Sequence, residues 1–168
     1  ADSVIRLHAE YLWSQGRASE AAYRFTSGDL TRWPDWRKGE RFVIRGSKVQ
    51  RIRGEARTDS HSSYRRWLDL VFTYAGTSSL ARDTPKPPTS SPTRAGDFFV
   101  DPGFPGHAVI VLDVAEDATG RQLALLAQGF MPAEEVHVLR SARAVDGHWF
   151  ALPTGEGQVL DTPSWAPF

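Results

Sequence analysis

The sequence predicts an α+β fold, with helices in the first half of the chain and an antiparallel sheet in the second half. Two observations support this class. Apolar residues recur at helical spacing in two segments before residue 77, and short apolar runs separated by brief turns follow Asp97. A length of 168 residues is sufficient for one domain with its own core, so we expect a single domain over residues 1–168.

The first predicted helix occupies residues 1–16. Val4, Ile5 and Leu12 recur on one side of a helix, and Gly16 suits its end. Ser3 is the hydroxyl of the first helical turn, and we expect it to cap the helix rather than to act as a nucleophile.

A loop with two tryptophans is expected next. Pro34 and the nearby glycines interrupt any helical period, so Trp33 and Trp36 are predicted to lie in a loop. Flat indole faces stack well on sugar rings and on peptides. We therefore predict that Trp33 and Trp36 contribute to substrate binding, with core packing as the structural alternative.

A hairpin and a second helix are predicted before residue 77. Two short segments joined by Gly46 and Ser47 predict a β-hairpin over residues 41–52. The run SSYRRWLDLVFTYAG keeps the helical period, and Ser62 or Ser63 is the expected cap of this helix.

Residues 83–96 are dense in proline, serine and threonine, which predicts an exposed connector inside the domain. The strand-like segments that follow are residues 97–100, 107–113, 122–128, 135–139 and 148–153. Brief turns between successive strands favour an antiparallel meander.

Composition excludes several kinds of site. The chain has no cysteine, so it has no disulfide, no thiolate metal site and no cysteine nucleophile within these residues. Basic and acidic residues balance at 20 each, which argues against a nucleic acid partner and gives no bulk attraction to an anionic membrane. The arginine-rich residues 51–57 and the pair Arg65 and Arg66 are expected to form solvated surfaces balanced by nearby acids.

Neither a membrane span nor a bound cofactor is expected. No apolar run approaches the roughly 20 residues that cross a bilayer. We predict no metal, because no second histidine lies at ligand spacing from His137.

The segment GHAVIVLD places a histidine at the start of an apolar strand. If it forms a hairpin with QLALLAQ, Leu112 lies near Gln122, and Gln128 falls opposite His107 within one or two positions. Asp113 is then expected to begin the turn. The alternative is that His107 is a hydrogen-bonded histidine at a strand end without catalytic function.

Many hydrolases use a nucleophile, a base that takes its proton and a polar residue that orients the base. A histidine beside a polar residue at the open end of a sheet can supply the base and the orienting residue. One nitrogen of the neutral ring can take a proton while Gln128 accepts a hydrogen bond from the other. The nucleophile is missing. The first turn of a helix lowers the pKa of a thiol, so a thiol would be sought where the first helix begins.

Several long motifs carry a family resemblance. They are ADSVIRLHAEYLWSQGR, SYRRWLDLVFTYAGTSSL, GDFFVDPGFPGHAVIVLDVA, LLAQGFMPAEEVHVL and TPSW. With these motifs, from Ala1 to about Trp165, the chain resembles an uncharacterised bacterial family, domain of unknown function 4846. Members of that family begin the first helix with Gln-Cys-Ala-Asp, so the resemblance implies a cysteine directly before Ala1.

The order of these motifs is also similar to that of papain-like cell-wall peptidases and amidases of the NlpC type. This second resemblance implies a papain-like architecture in which the first helix packs on the sheet. It also implies that His107 is the base and Gln128 the orienting residue.

Together the resemblances predict a cysteine hydrolase of amide or peptide bonds in the bacterial cell envelope. The expected substrate is a peptide or a peptidoglycan-like polymer, and the expected location is extracytoplasmic. The alternative is a catalytically inactive module that binds envelope glycan or peptide in the same groove. A structural accessory protein of an envelope assembly is a third possibility.

Overall fold

The computed structural model describes residues 1–86, 91–130, 132, 134–153, 159–163 and 165–168. The contacts within the chain divide it into two compact units, Ala1–Asp83 (unit 1) and Thr84–Phe168 (unit 2). The predicted α+β class, with an N-terminal helix and antiparallel sheets, is confirmed. A single domain stays a prediction. No helix in the described part of the chain is long and apolar enough to cross a membrane.

Helix α1, Asp2–Ser14, opens unit 1 and buries Val4, Ile5 and Leu12 on one face, as the spacing predicts. No side chain forms a cap hydrogen bond at its start, so the expected capping role of Ser3 is wrong.

A small hairpin and a short helix follow α1. Strand β1, Ala22–Arg24, pairs antiparallel with β2, Leu30–Arg32, and α2, Trp33–Arg37, begins directly after β2. The expectation that Trp33 and Trp36 lie in a loop is therefore wrong. Pro34 stands in the first turn of α2, where the missing N–H of proline leaves no helical hydrogen bond unmade.

The predicted hairpin is confirmed. Strand β3, Glu40–Arg45, pairs antiparallel with β4, Lys48–Arg53, and Arg45 lies opposite Lys48 at the tip. Gly46 adopts a φ of 58°, which a side chain disfavours, so the turn falls where the sequence predicts it.

Two further helices complete unit 1, namely α3, His61–Tyr74, and the unpredicted α4, Thr77–Asp83. The cap of α3 is Ser60, whose hydroxyl accepts a hydrogen bond from the N–H of Ser63 at 3.3 Å. The expected cap at Ser62 or Ser63 is thus wrong by two or three residues.

The core of unit 1 is rich in aromatic side chains. It is formed by Ile5, Ala9, Leu12, Ala21, Tyr23, Trp33, Trp36, Tyr64, Trp67, Leu68 and Val71. Two of its large rings have their polar atoms hydrogen-bonded inside the core. The indole N–H of Trp67 donates to Thr31 Oγ1 at 2.9 Å, and the Tyr64 hydroxyl donates to the Ala9 carbonyl at 3.1 Å.

Unit 2 is built on a five-stranded antiparallel sheet. Its strands are β5, Phe98–Asp101; β6, His107–Glu116; β7, Gln122–Gln128; β8, His137–Val138; and β9, Trp149–Ala151. The first four follow one another as a meander, as predicted, and β9 pairs with β7 on the edge that β8 also uses. The connector residues 84–86 and 91–96 form no helix or strand, and residues 87–90 lie outside the described part.

The register of β6 and β7 differs from the prediction. Gln122 lies opposite Glu116 and not near Leu112, because β6 continues for 10 residues and the ladder shifts between Val111 and Asp113. The expectation that Asp113 begins the turn is therefore wrong. The longer β6 moves the turn towards the C-terminus and leaves the His107 end of the hairpin close to Gln128.

The apolar faces of this sheet form the core of unit 2. The core residues are Val109, Val111, Ala124, Leu126, Leu139, Phe150, Leu152 and Leu160. Because β6 and β7 contribute half of this set, the strands that carry His107 and Gln128 are anchored along most of their length.

Candidate functional site

His107 is the first residue of β6 and lies directly before the apolar run AVIV. In the β5–β6 hairpin its direct partner is Asp101, the last residue of β5. Only 6% of His107 is exposed, although it stands at a strand end. The sheet thus holds the imidazole in a largely enclosed position.

Gln128 reaches His107 diagonally across the sheet. Ala127 lies opposite Ile110, so Gln128 falls beside Val109, whose side chain points to the same face as that of His107. His107 Nε2 lies 2.7 Å from Gln128 Oε1, and Gln128 is 2% exposed. The structure therefore brings together the two predicted catalytic residues, and their catalytic role stays a prediction.

This hydrogen bond fixes the tautomer of His107. An amide oxygen can only accept, so the proton must reside on Nε2, which donates to Gln128. The other ring nitrogen, Nδ1, is then the atom with a free lone pair. It is the nitrogen of this ring that can take a proton.

Aromatic side chains surround the imidazole. The ring of Trp165 lies 4.9 Å from the ring of His107 at an angle of 31°, and Phe130 meets it edge-on at 5.2 Å. The indole N–H of Trp165 donates to Asp101 Oδ2 at 2.9 Å. Asp101 therefore fixes the ring that covers His107.

Burial lowers the pKa of His107 below its ordinary value of 6.5, because the enclosed site disfavours the charged ring. The hydrogen bond to Gln128 and the carboxylate of Asp101 oppose this effect. The net direction keeps the imidazole neutral at neutral pH, which is the form that a general base requires.

Sequence reasoning missed Asp101, Phe130 and Trp165. Asp101 could have been found, because a hairpin loop over residues 102–106 would place it opposite His107. No local pattern shows that the segment containing Trp165 returns to the sheet. Phe104, in the loop over residues 102–106 between β5 and β6, is fully exposed.

The two tryptophans predicted to bind substrate lie in the core of unit 1. Trp33 is 2% exposed and Trp36 is 7% exposed, and their rings stack on each other at 5.8 Å. The guanidinium of Arg41 also lies over the Trp36 ring, 4.0 Å from its centre. Neither indole offers an open face for a ligand in this structure.

The side chains of this site supply a neutral nitrogen base, an amide that orients it and an aromatic cover. They do not form a metal centre, since the described residues contain no group of three or more histidine, aspartate or glutamate side chains arranged to hold an ion. The arrangement is suited to accepting a proton from a nucleophile and passing it to a leaving group.

Comparison with known families gives one match. The family model described as "Domain of unknown function (4846)" matches residues 1–168. No curated protein and no solved structure matches the chain.

Proposed function

This chain belongs to the family of domain of unknown function 4846, and we propose that it is a papain-like cysteine hydrolase of amide or peptide bonds. The observation that carries the proposal is the buried pair of His107 and Gln128, joined at 2.7 Å between Nε2 and Oε1. In this pair Nδ1 of His107 is the atom that acts as the base. A cysteine hydrolase needs a base and an orienting residue besides its nucleophile, and this chain without cysteine contains those two.

The nucleophile in this proposal is the cysteine that the family resemblance implies directly before Ala1. Its thiol transfers a proton to His107 Nδ1, and the thiolate attacks the carbonyl carbon of the substrate. The oxyanion is stabilised by backbone amides at the start of a helix. The imidazolium then gives its proton to the leaving amine as the C–N bond breaks, and water hydrolyses the remaining thioester.

The environment of His107 supports this role. The hydrogen bond to Gln128 prevents the ring from turning, and the rings of Trp165 and Phe130 shield that bond from water. A base whose pKa is lowered by burial stays neutral until the thiol delivers its proton. The papain-like packing of the first helix on the sheet is part of the proposal.

We further propose a peptide or peptidoglycan-like substrate and an extracytoplasmic location. Both follow from the family resemblance. Cell fractionation of the full-length protein tests the location, because the proposal requires it in the envelope fraction. Recovery in the cytosol alone would contradict it.

The central experiment is labelling of the full-length protein with a thiol-reactive amide probe. The gene must encode a cysteine before Ala1, and the probe must label that residue. His107→Ala should abolish labelling, because the thiol loses its base. His137→Ala is the matched control, since His137 is an exposed histidine in the next strand but one, and it should leave labelling intact.

Two results would overturn the hydrolase. One is a residue other than cysteine at the encoded position, and the other is unchanged labelling in His107→Ala. Circular dichroism of the variant separates loss of the base from loss of the fold.

A catalytically inactive binding module is the second candidate. It is favoured by the fully exposed ring of Phe104, three residues before His107, and by the half-buried ring of Trp165. Aromatic faces of this kind bind sugar rings or peptide side chains. For this candidate, Phe104→Ala should weaken binding of soluble peptidoglycan fragments while no fragment is cleaved.

A further inference from the structure

The neutral net charge of the chain conceals a strongly basic segment. Residues 37–57 contain eight basic side chains and two acidic ones. The basic residues are Arg37, Lys38, Arg41, Arg45, Lys48, Arg51, Arg53 and Arg57, and the acidic residues are Glu40 and Glu55. Because the whole chain is neutral, the remaining residues carry the opposite charge. Within the arginine-rich residues 51–57, the nearby acid Glu40 pairs with Arg51, as expected, but the basic segment extends well beyond them.

This segment is built around the β3–β4 hairpin, which pairs with no other strand in the described residues. Alternate side chains point to opposite faces of the hairpin. One face packs on the rest of unit 1, since the ring of Phe42 meets that of Phe25 at 5.1 Å. On the same face, Ile44 and Val49 line a cavity of about 430 Å³ together with Phe25.

The outward face of the hairpin combines positive charge with apolar surface. By the register it carries Arg41, Val43, Arg45, Lys48, Gln50 and Ile52. At the base of this face Arg41 packs over the Trp36 ring, whereas Arg45 and Lys48 lie directly opposite each other at the tip and Val43 is half-buried. Both basic residues at the tip are exposed, and Ile52 is 41% exposed.

The charges at the tip are not neutralised. Arg51 forms an ion pair with Glu40, and Arg37 forms one with Asp59. Within the part of the chain that the structure describes, Arg45 and Lys48 form no ion pair. The positive charge without an ion-pair partner therefore lies at the tip of the hairpin, on either side of its turn.

We propose that the outward face and tip of the β3–β4 hairpin dock on an anionic lipid bilayer. Phosphate headgroups complement Arg45 and Lys48, since basic residues close to such a surface are attracted to it. Val43 and Ile52 on the same face suit the boundary between headgroups and acyl chains. Nucleic acid would use the charge but would leave these two apolar side chains without a complementary surface.

The test is co-sedimentation of the purified protein with vesicles at low ionic strength. One set of vesicles is phosphatidylcholine alone, and the other contains equal parts of phosphatidylcholine and phosphatidylglycerol. We expect binding to the anionic vesicles only, and we expect added salt to weaken it. Arg45→Glu/Lys48→Glu should lower the partition coefficient at least about tenfold. Ile52→Ser should cause a smaller loss.

The matched control is Arg66→Glu/Arg140→Glu. It makes the same change in net charge at two exposed sites outside the hairpin. Binding by this variant should exceed that of the hairpin variant by at least about fivefold. Equal losses in both variants would show that only the net charge matters and would overturn the proposal. Equal binding to both kinds of vesicle would overturn it too, and so would binding of a DNA duplex without binding of anionic vesicles.

The side chains changed in the hairpin variant are exposed, so the fold should survive, and far-UV circular dichroism checks this. The proposal does not depend on the hydrolase, because no residue of the hairpin belongs to the site around His107. Thiol labelling of the hairpin variant in the absence of vesicles should therefore match that of the wild type.

Discussion

His107 and Gln128 share a 2.7 Å hydrogen bond although they are diagonal neighbours and not a direct pair in the ladder between β6 and β7. Gln128 is itself paired on its other side with His137 of β8. Strand β7 is therefore held from two sides next to the amide, since Ala127 also lies opposite Ile110 of β6.

Changes at Gln128 should shift the pKa of His107 in opposite directions. The hydrogen bond to Gln128 raises this pKa against the larger effect of burial. Gln128→Ala should therefore lower the pKa further, and Gln128→Glu should raise it, because a carboxylate stabilises the charged ring. Titration of the His107 ring protons by NMR measures both shifts.

Gln122→Ala is the control for this prediction, since Gln122 stands at the opposite end of the same strand. It should leave the titration of His107 unchanged. A pKa that is the same in Gln128→Ala and in the wild type would show that the amide does not hold the ring.

The buried His107 should also make the free energy of unfolding depend on pH. Its folded-state pKa is lowered, so the unfolded chain takes up a proton near pH 6.5 while the folded chain does not. The contribution of His107 to stability is complete above that pH and is lost as the pH falls through the folded-state pKa. Urea unfolding between neutral pH and about pH 5 should show the decline, with a slope of at most about 1.4 kcal/mol per pH unit from this group.

His107→Gln should reduce the decline, because the substituted side chain does not titrate, whereas the part due to His8, whose pKa burial also lowers, should remain. Gln122→Ala, which removes a side chain without an ionisable group at the far end of β7, is the control and should leave the shape of the profile unchanged. A profile that declines equally in wild type and in His107→Gln would assign the effect to other groups.

The sheet could be predicted well because its signals are local. The apolar runs fix β6 and β7, and the predicted meeting of His107 and Gln128 tolerated an error of register. The error arose from Asp117, whose Oδ1 accepts hydrogen bonds from the backbone N–H groups of Thr119 and Arg121 and so holds the turn beyond Glu116. Residues 113–116, which the sequence predicts to belong to the turn, are largely exposed but continue the strand.

The contacts that depend on distant segments could not be predicted. Trp33 and Trp36 carry the same local signal whether they line a groove or fill a core. Trp33 is buried against Tyr64 and Trp67 on α3, whose rings lie 5.2 and 6.0 Å from its own, and Trp36 stacks on Trp33. Trp165 is a similar case, because its contact with Asp101 joins residues 64 positions apart.

Ser60 should contribute to the stability of α3 as its N-cap. Its hydroxyl accepts from the N–H of Ser63, one of the helical donors without a partner in the helix. Ser60→Ala should reduce the free energy of unfolding by about 1 kcal/mol, and Ser60→Gly by only a few tenths. Urea unfolding measures both, and Ser62→Ala, at an exposed position within the helix, should cost less than Ser60→Ala. The reverse order would restore Ser62 as the cap.

The hydrogen bond between Trp67 and Thr31 should couple α3 to β2 energetically. Both side chains are fully buried, so Trp67→Phe leaves the Thr31 hydroxyl without its partner, and Thr31→Val leaves the indole N–H without its acceptor. An unsatisfied buried group costs about 1–3 kcal/mol. The double variant removes both polar groups together and should cost less than the sum of the two single variants, by about 1 kcal/mol. A double-mutant cycle in urea measures this difference. The control is Trp13→Phe, which changes a partly buried indole of the same core and should show no coupling with Thr31→Val. If the costs of Trp67→Phe and Thr31→Val simply add, the hydrogen bond contributes nothing to stability.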